Sequence, residues 1–326
     1  MPALTLIDWA KRQGPDSKQA KIVELLNQTN EILDDMLFVE GNLPTGHRTT
    51  VRTGLPSATW RLLNYGVQPS KSTTAQVTDT VGMLETYSEV DKDLADLNGN
   101  KTEFLLSESL AFLESMNQEM AETLIYGDTT VHPQRFTGLA ARFNDLGAKS
   151  GANIIDAGGT GSNLTSIWLV VWGENTVHGL FPKGSKAGLQ QEHKGQVTLE
   201  DENGGRYEGY RTHFQWKNGL TVRDWRYVVR IANIDMSKLK KDPEAADTLD
   251  LVDLLIQAIE KIPNLAMGRP AIYCNQAIRS WMRRQIKNSK NVNISMQEVA
   301  GKKVVLFDEI PVRRVDSILA TESQVK

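Results

Sequence analysis

Only one cysteine, Cys274, occurs in the 326 residues. No disulfide can close within the chain, a cysteine-rich zinc site is excluded, and a reducing compartment suits its synthesis. The five histidines, His47, His132, His178, His193 and His213, are scattered and none stands in an HExxH spacing. Gln191-Glu192-His193 lacks the second histidine four residues on that would set two ligands on one helix face, so no metal is expected. Apolar runs such as 167–172 and 251–256 fall far short of the ~20 residues a membrane span needs. Residues 1–10 show no positive segment leading into an apolar one, so no secretory signal is expected. Positive charge is not in excess: Lys+Arg 37 against Asp+Glu 40 gives −3, which argues against bulk electrostatic adhesion to nucleic acid.

Catalytic constellations are lacking as well. Gly158-Gly159-Thr160-Gly161-Ser162 has neither the terminal Lys-Ser/Thr of a P-loop nor the GxGxxG of a dinucleotide fold, and reads as a flexible loop. Ser185 fails as a nucleophile elbow because Ala187 stands where glycine is needed. Cys274 follows Ala271-Ile272-Tyr273 and reads as a buried strand end. The pairs Asp34-Asp35 and Asp91/Asp93 read as solvated carboxylates. A β-rich hydrolase using acids such as Glu200 and Asp224 is the enzymatic alternative, but no compact nucleophile–base set supports it. No catalytic role and no cofactor are expected.

What is present is an ordinary soluble composition, 40% hydrophobic and 24% charged, long enough for about two domains at ~150 residues each. Asp16 and Ser17 can cap a helix whose apolar positions Ile22, Leu25, Leu26, Thr29, Ile32, Leu33 and Met36 are spaced by threes and fours. Breakers on both sides, Gly14-Pro15 and Gly41 to Gly46, make this an N-terminal arm. From Arg48 to Val90 the chain turns to Thr, Ser, Val and Gly, extended around 49–53 and 59–65 and polar from Gln68 to Thr80. This stretch cannot close its own core: it is either a disordered loop or a strand hairpin meant for another surface. Trp60, Leu62, Leu63 and Tyr65, costly to leave in water, favour the hairpin.

Asn100 and Glu103 suggest a capping box. The helix that follows, with the stripe Leu106, Leu110, Leu113, Met116, Met120 and Leu124 and a stop at Gly127, is the clearest element. After Gly151, glycine turns at Gly158-Gly159, Gly204-Gly205 and Asn218-Gly219 separate runs that read as antiparallel sheet. Tyr210, Thr212, Phe214 and Trp216 alternate before the Asn218-Gly219 turn; Trp225, Tyr227, Val229 and Ile231 are one register off, predicting a bulge near Arg223-Asp224. The last third predicts helices over 250–261 and 275–288 and strands over 303–307 and 312–315. The class is α+β. Arg279, Arg283, Arg284 and Lys287 place cations along one helix face, either a solvated face or a surface for a neighbouring subunit or packaged nucleic acid.

Several segments carry a resemblance. Ser107-Glu108-Ser109-Leu110 through Leu124-Ile125-Tyr126-Gly127-Asp128, then Pro133 and Phe136-Thr137-Gly138-Leu139, resemble the spine helix and exit segment of tailed-phage major capsid proteins of the Hong Kong 97-type fold. Gly41-Asn42-Leu43-Pro44 through Arg52-Thr53-Gly54-Leu55-Pro56, with Trp60-Arg61-Leu62-Leu63-Asn64, resemble the extended arm of the podovirus and prophage members. The resemblance implies an N-arm over residues 1–46 and an E-loop over 47–96. It further implies a P-domain over 97–235, with spine helix 101–126 and the β-rich block, and an A-domain over 236–326. Because that block separates the spine region from Ile272-Tyr273-Cys274-Asn275 and the strands after it, a permuted strand order is expected.

By the same resemblance the chain would self-assemble as pentamers and hexamers into an icosahedral virion shell around double-stranded DNA, without sequence-specific binding and without a membrane. Arg52, Trp60, Leu62, Leu63, Tyr65 and Lys71 would be its E-loop contacts between subunits. Scaffold, portal and decoration or cement proteins are the implied partners. The scaffold would be a separate protein, since the N-terminal region is too short to contain one, and synthesis would take place in the host bacterial cytoplasm. Lys71 lies in the polar stretch of the loop, but no motif for a cross-link to a neighbour's asparagine is present. An encapsulin-like compartment, holding protein cargo in place of DNA, is the close variant.

Overall fold

Leu164–Trp172 is buried over its whole length in the computed structural model, which describes residues 27–97, 101–201, 203–239, 249–285, 294–299 and 302–326. A strand covered on both faces needs apolar residues at odd and even positions alike. Here Ile167, Leu169 and Val171 enter one core, while Trp168, Val170 and Trp172 enter a second on the opposite face.

In chain order the elements begin with α1 (Ile32–Asp35), β1 (Phe38–Glu40), β2 (Gly46–Gly54), β3 (Thr73–Asp91), α2 (Lys92–Asp96), α3 (Lys101–Tyr126) and α4 (Leu139–Arg142). The sheet-rich middle follows as β4 (Ile154–Asp156), β5 (Leu164–Trp172), β6 (Val177–Phe181), β7 (Leu189–Glu200), β8 (Arg206–Val222) and β9 (Val228–Asp235). The remainder is α5 (Leu251–Glu260), β10 (Arg269–Cys274), α6 (Gln276–Gln285), β11 (Ile294–Val299), β12 (Lys302–Phe307) and β13 (Ile310–Arg314).

Among the described residues the strands join in one mixed sheet, ordered β11-β12-β13-β10-β5-β6-β8-β3-β2, with β1 on β6, β7 on β8, and β9 on β5 and β4. The order is far from sequential. β10 pairs antiparallel with β5 from Arg269↔Trp172 to Tyr273↔Trp168 and parallel with β13. Hydrogen bonding and a shared core therefore run across residue 235, joining Ile231 and Ile234 to Leu251, Leu255 and Trp281. α5 and α6 cover that face, and α5 is started by the Asp250 carboxylate, which accepts the Val252 and Asp253 amides at 3.1 Å each.

On the other face lies α3, 26 residues or roughly 39 Å at 1.5 Å per residue, with bounds matching the sequence expectation. It packs through Met120, Leu124 and Ile125 against Trp168, Val170 and Trp172. It stops at Gly127, where a Cβ would meet the Phe136 carbonyl oxygen at 2.3 Å. The expected stripe is only half buried: Met116, Met120 and Leu124 are core, while Leu106 and Leu110 are 60% and 51% exposed. Toward its N-terminus the helix extends past the body that would cover it, and Phe104, with Leu105 half-buried beside it, joins a small cluster with Val90, Leu94 and Ala95. Asn100, the proposed cap, and most of the arm helix expected from Asp16 lie outside the described residues. Of that helix the described part keeps one turn, α1, before Met36 becomes extended.

Two turn readings are corrected. β8 runs straight through Asn218-Gly219. Asn218 is buried with its Nδ2 3.3 Å from Met120 Sδ, and a Cβ on Gly219 would meet the Thr80 carbonyl oxygen at 2.6 Å. The glycine thus serves close strand approach and not a hairpin. At Arg223-Asp224 there is no bulge, because β8 and β9 are not partners: a single 3-10 turn, Trp225–Tyr227, capped by Asp224, carries the chain from β6's neighbour to β5's.

Candidate assembly surface

β2 and β3 form an antiparallel hairpin from Gly46↔Thr80 to Gly54↔Thr73, the strand pair favoured for 48–90. Threonine and valine suit an exposed pleated surface, and Thr53 and Thr73 hydroxyls meet across it at 3.1 Å. At its base Asn42 clamps Arg48, accepting its amide and donating to its carbonyl at 2.8 Å each. β3 then continues beyond β2 and pairs with β8 from Val81↔Gly219 to Asp91↔Gly209, so one 19-residue strand belongs to both arm and body.

Between β2 and β3 the chain is irregular. The expected extended piece over 59–65 is instead a loop with a turn, the Tyr65 amide donating to the Leu62 carbonyl at 3.2 Å and Asn64 at φ 70°. It holds the apolar residues of the arm: Trp60 is fully exposed, and Leu62, Leu63 and Tyr65 are 73%, 84% and 69% exposed. Arg52 and Lys71 are exposed as well. Charge is segregated. From Arg48 to Thr78 the chain carries Arg48, Arg52, Arg61 and Lys71 and no acid, while α3 carries Glu103, Glu108, Glu114, Glu119 and Glu122 against Lys101 alone.

The basic helix face is α6. Arg283 and Arg284 are exposed, Arg279 pairs with Glu31 at 3.5 Å, and Lys287 lies outside the described residues. Several half-buried or buried ionisable groups elsewhere are tied into the structure. Asp35 binds Arg313 at 3.1 Å and accepts the Tyr273 hydroxyl at 3.0 Å; burial raises its carboxyl above the ordinary value although Arg313 opposes this. Arg230 and Glu322 form a buried pair at 2.9 Å. Burial pushes the Cys274 thiol up to about 12, as befits a strand-end core residue.

The hydrolase alternative fails on geometry. Glu200 closes β7 against Arg206, and Asp224 follows the far end of the 17-residue β8, roughly 55 Å away at about 3.3 Å per residue. A glycosidase pair needs about 5–10 Å. Among the described residues no group of three metal-ligating side chains gathers.

A doubly covered sheet crossed by one long helix, with an arm whose apolar tip stands exposed, is the architecture of a shell subunit of the Hong Kong 97-type capsid fold. The family model of the major capsid protein GP7 matches residues 14–326, and the chain belongs to that family of phage major capsid proteins. A solved chain of bacteriophage Epsilon15 is 40% identical, covers 100% of this chain and 98% of its own, and superposes with a TM-score of 0.76. More distant likenesses include the bacteriophage JBD30 capsid, at 10% identity over 90% of this chain and 92% of that one with a TM-score of 0.49. Another is the holo-SrpI encapsulin complex from Synechococcus elongatus, at 11% identity over 71% and 97% with a TM-score of 0.47. No curated protein matches the sequence. The chain is thus a shell-forming structural protein of the virion, built to associate with copies of itself.

Proposed function

We propose that this subunit assembles as pentamers and hexamers into an icosahedral head enclosing double-stranded DNA, joined through its E-loop, residues 47–96. The observation that carries this is the cluster of unburied Trp60, Leu62, Leu63 and Tyr65 on a hairpin rooted in the central sheet. Each such side chain gains about 1.5–3 kcal/mol when buried, so a few of them on a neighbour make a contact that a closed shell repeats many times. Arg52 and Lys71 flank the apolar set and steer it toward acidic surface. The chain acts without catalysis. Residues 1–46, 97–235 and 236–326 serve as N-arm, P-domain and A-domain, and the Arg279, Arg283, Arg284 and Lys287 face meets a neighbouring subunit or the DNA. A separate scaffold, a portal and decoration proteins complete the head, made in the bacterial cytoplasm.

Replacing Trp60 and Leu62 by Ser tests the reading. Negative-stain microscopy and size exclusion are expected to show particles from the natural chain and folded, unassembled subunits from the variant. Particles that form equally well without the two side chains would refute the E-loop contact. Nuclease-protected DNA inside purified particles, as against protein cargo, separates a phage head from an encapsulin-like compartment.

A further inference from the structure

Beneath the point where β3 exchanges β2 for β8, polar side chains from β2, β3, β6 and β8 meet out of solvent: His47, Asp79, His178 and Thr221 are all buried. His47 and Asp79 are register partners in the hairpin, and the two imidazoles meet edge to face with 5.8 Å between centroids. Two guanidinium groups close the cluster. Arg142 of α4 donates to Asp79 Oδ1 at 2.8 Å and to the Leu220 carbonyl at 3.0 Å. Arg223, just past β8, holds the Glu174 carbonyl at 3.1 Å and Asn175 Oδ1 at 3.2 Å.

For so buried a place the hydrogen bonding is incomplete. Asp79 Oδ2, His178 Nε2, Thr221 Oγ1 and the Nε atoms of Arg142 and Arg223 have no hydrogen-bond partner among the described residues, whereas buried polar groups are nearly always paired. His47 has the opposite problem. The Asn42 amide approaches its Nδ1 at 3.3 Å and Arg223 Nη2 approaches its Nε2 at 3.4 Å, two donors on a ring that, when neutral, has one acceptor lone pair. Protonation removes that lone pair and leaves N–H facing N–H on both sides. His178 Nδ1 lies 3.2 Å from the Gly179 carbonyl, which places its proton there and leaves Nε2 to be protonated in the dark of the core.

We infer that His47 and His178 form a proton-sensitive latch at the root of the β2–β3 arm: neutral, they seat the arm on the body, and protonated, they release its root while the central sheet stays folded. Two arginines and one aspartate give the cluster a single net positive charge with both rings neutral; two more protons would have to be accommodated with little water to screen them. Burial, then the Arg223 guanidinium, hold His47 below the ordinary imidazole value, with Asp79 pulling the other way. Burial likewise lowers His178, opposed by the Gly179 carbonyl and Asp79 and reinforced by Arg223 and His47. A depressed histidine pKa means that the seated root binds fewer protons than the released one. Its stability is therefore complete above about pH 6.5 and is lost as the pH falls through the lower seated values.

Hydrogen exchange followed by mass spectrometry on the full chain, at about pH 7.5 and about pH 5.5 with rates corrected for the intrinsic pH effect, reads the root directly. Residues 42–48 and 77–82 are expected to lose about tenfold or more of their protection at the lower pH, one depressed imidazole supplying a factor of ten per pH unit, while 164–172 keep theirs. A His47→Gln, His178→Asn double variant is expected to flatten the response, and His47→Gln alone to reduce it, which serves if the double variant does not fold. Root protection that ignores pH, a loss shared equally by β5, or a response that survives the substitutions would each overturn the latch. The measurement does not depend on assembly, so its failure leaves the shell reading standing.

Discussion

Trp168 and Trp60 are the same side chain in opposite circumstances. Trp168 sits in the middle of β5 with no exposed surface, its ring edge-on to Phe143 at 6.2 Å and under the Arg230 guanidinium at 4.9 Å. Trp60 touches bulk water from every side. The sheet body and the arm both carry large apolar side chains, yet only the body buries them. If the arm keeps its apolar surface for another copy, as proposed, a change there should show in assembly and not in folding.

That contrast can be broken by experiment, beginning where the effect is largest. Trp168→Ala removes a large ring from a filled core and is expected to cost about 3–5 kcal/mol; urea unfolding of the unassembled subunit measures it, and a loss under 1 kcal/mol would mean that the body is not the stable part. Gly219→Val lies at the seam between the two regions. Its new Cβ would press on the Thr80 carbonyl oxygen and Val81 Cα, backbone atoms that cannot yield cheaply, so about 1–3 kcal/mol is expected with a lower urea midpoint. Smallest is the arm: Trp60→Ser with Leu63→Ser should leave the unfolding free energy within about 0.5 kcal/mol, and a larger loss would show that the arm is folded against its own body.

Much of this division was legible in the sequence. The composition of 48–90 marked a segment unable to bury itself, the apolar stripe with its stop at Gly127 marked α3, and the strands expected over 303–307 and 312–315 are found as β12 and β13, with the second starting two residues earlier. What stayed hidden depended on partners distant in the chain. Asn218-Gly219 has the local chemistry of a hairpin turn, but Asn218 is drawn to Met120 and Gly219 is pressed against Thr80, so tertiary contact overrides the turn. Leu106 and Leu110 fit the apolar period as well as Met116 and Met120 do; nothing local says that the body ends before it reaches them. His47 and His178 are 131 positions apart, and only the sheet order β6-β8-β3-β2 brings them together. The alternation of 227, 229 and 231 was real, though the phase slip before it marked a change of sheet neighbour and not a bulge.

β3 has a mechanical consequence. Its 19 residues span roughly 63 Å at about 3.3 Å each, the first part projecting with β2 and the second stitched to β8 from Val81 to Asp91. Tension applied to the arm along its length would reach the body as shear on that whole ladder at once, all its hydrogen bonds sharing the load, and not as a peel that opens them singly. If the arm grips a neighbouring copy as proposed above, a sideways pull between copies would load this strand along its length, as a tie rod is loaded.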